Sequence, residues 1–213
     1  MLSRWSGPLA CLLWLALFAA ALCLPGLAGT ADPGDALTRN TVRVALVYYA
    51  AAAALMLRLQ PADWAARSWR GRLARCCWTL AWAAYVVHVG LAFHYFDHWS
   101  HAHAVARTHQ RTGFGEGIYV SHLFTLLWTA DVACWWLRPT GHADRPAWVH
   151  RGLHAFMAFV VFNGTVVFEE GPIRWAGIGL FVGLAAVWLL GRRPDLRSPR
   201  RPGRCIMDSW PDQ

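Results

Sequence analysis

ARCCWTLAWAAYVVHVGLAFHYF, residues 74–96, runs directly into DHWSHAHAVARTH, residues 97–109. The first stretch matches the ~20 apolar residues an α-helix needs to cross the hydrocarbon of a bilayer. The second is polar. Together they place five histidines, His94, His98, His101, His103 and His109, within sixteen residues at the junction. The junction reads as a membrane helix handing over to an aqueous loop. Five more apolar stretches of similar length flank it, at 5–29, 41–60, 118–138, 148–168 and 173–191. The expectation is an all-α, polytopic transmembrane helix bundle of about six spans over residues 1–191, with a His-rich outer loop at 97–117. Residues 192–213, rich in Arg and Pro without apolar periodicity, read as a disordered basic tail.

Arginine placement gives the orientation. The chain contains no lysine, so all 20 basic residues are arginines. With both termini cytoplasmic, 15 of them fall inside; only Arg39, Arg43, Arg107, Arg111 and Arg174 fall outside. That bias satisfies the positive-inside rule, points to a multi-pass protein of a cell membrane, and takes the bacterial inner membrane as its default. Trp64, Trp69, Trp78, Trp135, Trp136 and Trp148 lie near the proposed inner ends, Trp99 and Trp175 near the outer ones. Aromatic belts have that placement. The net charge of +8 is therefore an orientation signal. It implies the bilayer and anionic lipid headgroups as partners, and no nucleic acid. The first stretch is read as a retained span rather than a signal peptide, because its apolar run is long for that role. Segment 61–75, which mixes Trp with Arg, is expected to lie along the membrane surface, and 30–40 to be a plain turn.

Missing residue types exclude chemistry. Without lysine there is no retinal-type Schiff base, no lysine nucleophile and no nucleotide-binding phosphate loop. The glycine-rich Gly113–Gly117 stretch is then a flexible return loop. No cysteine lies in an outer loop, and there is no Cys-x-x-Cys-His for covalent haem.

The histidines carry the functional expectation. If the third helix continues past the membrane surface, His94, Asp97, His98 and His101 share one stripe, at offsets 0, 3, 4 and 7. Imidazoles at i and i+4 can chelate a divalent ion, and a carboxylate can ligate it or orient an imidazole. His122, about one turn inside the start of the fourth span, reaches the same side. This imidazole and carboxylate set suits Fe, Cu or Zn. A b-type haem is the alternative, held between His88 and His122, whose depths differ by about 6 Å. The expected function is metal or haem binding on the outer face, serving a redox or metal-dependent reaction. Alternatives are a metal-ion transport or delivery protein and a non-catalytic scaffold or assembly subunit.

Two further features complete the reading. Asp131 and His154 are an intramembrane polar pair toward the cytoplasm, since a carboxylate in hydrocarbon needs a partner such as His154 or Arg151. Gly179 and Gly183, four apart in the last span, offer a close-packing face for a helix of this chain or of a second copy. Asp131, His150 and His154 resemble part of the ligand set of alkaline-ceramidase-type membrane zinc amidases, but the chain has no Ser-x-x-x-His. It also has no adjacent His-His pair, which the histidine boxes of membrane hydroxylases and desaturases include.

Overall fold

The computed structural model describes residues 6–27, 31–65 and 68–191, and among them the chain is helical, with no strand. Eight α-helices follow in order: α1 Ser6–Leu27, α2 Pro33–Met56, α3 Trp69–Tyr95, α4 His101–Thr112, α5 Gly117–Leu137, α6 Pro139–Ala143, α7 Ala147–Phe162 and α8 Gly171–Gly191. The expected tail at 192–213 lies outside the described residues.

Among the described residues, four helices are long and apolar enough to cross a membrane: α1 over Pro8–Pro25, α3, α5 and α8. The other two expected spans differ for identifiable reasons. Helix α2 has 24 residues, but Asp35, Arg39 and Arg43 sit in its first half. Helix α7 has only 16 residues, yet it runs without a break into a π turn, Asn163–Val167, so helical backbone extends over 147–167.

Helix starts lie further upstream than hydropathy alone suggests, because capping chemistry sets them. Asp32 accepts from the Asp35 amide at 3.0 Å and Pro33 occupies the first helical position, so α2 begins inside the expected 30–40 turn. Ser68 accepts from the Gly71 amide at 3.0 Å and starts α3 five residues before the apolar run. Among the described residues of the expected surface segment, Pro61–Asp63 form a separate 3-10 turn and those from Trp69 on belong to α3.

The core lies along the contact of α2 with α3. Ala45, Ala52, Ala74, Ala81 and Ala84 are buried there, and such small side chains let two backbones approach closely. Beside them Tyr49, Trp78 and Trp128 form an aromatic centre, with ring centroids 4.8–6.0 Å apart. Two hydrogen bonds tie α1 to this pair: Tyr48 Oη donates to the Ala10 carbonyl at 2.7 Å, and Trp14 Nε1 to that of Leu80 at 3.0 Å. Helix α8 lies against the π turn. A Cβ on Gly177 would come within 2.8 Å of Thr165 Oγ1 and 3.0 Å of the Thr165 carbonyl, so only glycine allows this approach. Gly179 and Gly183 face open space.

Contacts identify the two ends of the bundle. Gly34 meets Tyr95, and Arg111 meets Glu169, at the end that carries α4. Arg58 meets Gly191, and Trp64 meets Trp135, at the arginine-rich end.

Candidate functional site

Helix α3 stops at Tyr95. The backbone then turns sharply, with His98 and Trp99 in the left-handed region at φ 49° and 59°. Ser100 accepts from the His103 amide at 3.4 Å and starts α4 in a new direction. The helix therefore does not continue past residue 95, and His94, Asp97, His98 and His101 do not share a stripe. His94 packs edge-on against Tyr95, with centroids 4.8 Å apart. His98 lies nearer His103, at 6.4 Å. His101 meets His122 across the α4–α5 contact, at 5.5 Å. Asp97 points inward: it is fully buried and accepts from Arg107 Nη2 at 2.6 Å. An aspartate 0% exposed next to a partly exposed arginine is the anchor of the turn rather than a free ligand. Among the described residues, no group of three or more His, Cys, Asp or Glu side chains is arranged to hold a metal ion.

Behind this turn lies a cavity of about 350 Å³ that both His88 and His122 line. Helices α2, α3 and α5, with Gly164 and Thr165 of the π turn, form its walls. Its mouth carries two ion pairs: Arg107 with Asp97, and Arg111 with Glu169 at 3.2 Å. The second pair bridges α4 to the segment before α8, so α4 is held across the opening at two points one turn apart. Tyr49, Phe124 and Trp128, each no more than 4% exposed, close the deep end.

His88 is the best-defined polar group in the cavity. Its Nδ1 lies 2.9 Å from the backbone carbonyl of Thr38 on α2. A carbonyl oxygen can only accept, so Nδ1 carries the proton, and the neutral ring holds its Nε2 lone pair free. Histidines that bind metals are prepared in this way, with the second nitrogen donating to a carbonyl.

Below the aromatic floor, at the arginine-rich end, is a second polar cluster. Asp131 accepts from Trp78 Nε1 at 2.9 Å and from Arg145 Nη2 at 2.7 Å, with His142 Nε2 at 3.3 Å. The expected partners, His154 and Arg151, are not the ones used. His154 packs on Trp78 and His150, at 5.5 and 4.5 Å, and its Nε2 has no hydrogen-bond partner among the described residues. Arg151 turns back to the Ala147 carbonyl. His142 stacks on Trp135 at 4.6 Å and 6°. Burial pushes its pKa below the ordinary value, against the pull of Asp131.

Sequence reading missed Arg107, Arg145, His142, Trp78 and Thr38. For Arg145 a usable signal existed. It lies in the short segment between Pro139 and Pro146, which folds α6 back under α5, and a buried carboxylate requires a nearby cation. For Thr38 there was none, because the contact uses its backbone.

Comparison of the chain with protein families, with curated proteins and with solved structures gives no match.

Proposed function

We propose that the chain is a six-span protein of a cell membrane, with both termini on the arginine-rich, cytoplasmic side, and that the cavity behind α4 opens outward and holds a histidine-ligated cofactor, foremost a b-type haem. The observation that carries this reading is the His88–Thr38 hydrogen bond, which leaves Nε2 as an available ligand atom among apolar walls. The cavity volume of about 350 Å³ is within the range of small-molecule sites. His122 is the candidate second ligand, and Arg107 and Arg111 suit the anionic edge of such a group. The cofactor would supply one-electron chemistry. The chain would supply an oriented ligand, an apolar enclosure and a charged mouth.

A second reading keeps the outer metal. His101 and His122, with ring centroids 5.5 Å apart, are close enough to share an Fe, Cu or Zn ion at the cavity rim. Absorption spectra and elemental analysis of protein purified in mild detergent without a histidine tag separate the two. A Soret band lost in His88→Ala supports the haem. Metal without a Soret band, lost in His101→Ala, supports the rim site. Neither in either protein overturns both and favours the transport or scaffold alternatives.

A further inference from the structure

The arginine-rich end of the bundle holds a second opening, unrelated to the cavity behind α4. Helices α5 and α7 part there to leave a groove of about 350 Å³. The space stays unfilled because residues with almost no side chain line it: Ala130 on α5, and Gly152 on α7, where an added Cβ would meet nothing within 4 Å. Leu127, Leu153 and Phe156 make its walls apolar.

Its base is charged. Arg145 also lines the groove, and its side chain is 19% exposed. Two of its three nitrogens are used: Nη2 by Asp131 at 2.7 Å, and Nε by the His142 carbonyl at 3.4 Å. Nη1 has no partner among the described residues. A guanidinium held in place by a buried carboxylate, with one donor still free, is preorganised for an anionic oxygen. Trp148, 74% exposed, stands at the rim, where an amphipathic ring marks the level of lipid headgroups. Between Asp131 and Arg151 the chain carries three arginines against two aspartates, so the surroundings favour an anion.

We propose that this groove binds one anionic phospholipid of the arginine-rich leaflet, with an acyl chain between α5 and α7 and the phosphate on Arg145 Nη1. Basic pockets between membrane helices recognise lipid headgroups in this way. The inference rests on the membrane location alone and stands whether or not the outer cavity holds a cofactor.

The test uses the full chain in nanodiscs of phosphatidylcholine with phosphatidylglycerol, and native mass spectrometry of the released protein to count retained lipids. Gly152→Leu fills the groove while keeping Arg145 and Asp131, and leucine is the better helix former. Arg151→Gln removes an exposed arginine that does not line the groove. Wild type and Arg151→Gln are expected to retain one phosphatidylglycerol, and Gly152→Leu to retain it about tenfold less, at unchanged thermal stability. Should Gly152→Leu fail to fold, Ala130→Leu makes the same test from the opposite wall. Equal retention in the filled variant overturns the proposal. So does equal retention of phosphatidylcholine by wild type, or retention of no lipid.

Discussion

The His88 ring reaches from α3 to the Thr38 carbonyl of α2 at 2.9 Å, so one side chain links the most closely packed helix pair to the wall of the outer cavity. The first prediction concerns its tautomer. Nitrogen-15 spectra of histidine-labelled protein are expected to show His88 protonated at Nδ1, with Nε2 as the unprotonated nitrogen. A signal for the opposite tautomer would remove the free lone pair, and the cofactor reading with it.

Asp97 and Arg107 form an asymmetric pair, one fully buried and the other partly exposed. Arg107→Leu strands a buried carboxylate and is expected to cost about 3–5 kcal/mol. Asp97→Asn leaves an arginine that water can reach, and should cost less, about 1–3 kcal/mol. Unfolding in detergent checks the order. Equal losses would mean that Asp97 is not buried in this way.

Helix α8 supplies a paired test. Gly177→Ala forces a methyl against Thr165 and should lower Tm, since the contacts it would make at 2.8–3.0 Å include the Thr165 backbone carbonyl. Gly179→Ala adds its methyl to open space and should be neutral, or stabilising by up to about 1 kcal/mol. A loss of dimer on size exclusion for Gly179→Leu with Gly183→Leu would assign that open face to a second copy of the chain.

His142 predicts a pH effect. Its pKa in the fold lies below the ordinary value because it is buried. Above about pH 6.5 the ring is neutral in both folded and unfolded chains and adds nothing to pH dependence. Below that, the unfolded chain takes up a proton that the folded chain resists, so stability falls as the pH drops. His142→Phe keeps an aromatic ring on Trp135 and should show a smaller fall in Tm from pH 7.5 to pH 5. An unchanged fall would assign it to other groups.

Hydropathy made the helical, membrane-type architecture legible, because runs such as 74–96 and 173–191 have few readings other than membrane helices. It placed helix starts poorly, since Asp32 and Ser68 act through single hydrogen bonds that carry no hydrophobic signal. The histidine stripe depended on α3 continuing past Tyr95. Its end is a tertiary effect: Asp97 folds inward to an arginine ten residues later, and no local periodicity reports that. Asp131 was legible as a buried carboxylate in need of a partner, but choosing Arg145 over Arg151 required knowing that α6 folds back. The outer cavity was only half legible. His88 and His122 stood out as polar residues in apolar spans, whereas Tyr49, Trp128 and the π turn looked like ordinary membrane-helix content.

The π turn at Asn163–Val167 holds one residue more than an α-helix of the same height needs. Its length is thus a register setting. Deleting a single residue there would restore a regular helix and keep the downstream register, whereas winding all five residues as α-helix would rotate everything downstream by about 100°. Glu169 would swing away from Arg111, and Gly177 from Thr165, so α4 and α8 would lose their seats together. The chain is therefore expected to keep both contacts when one residue of the turn is deleted, and to lose them when substitutions straighten the turn at unchanged length.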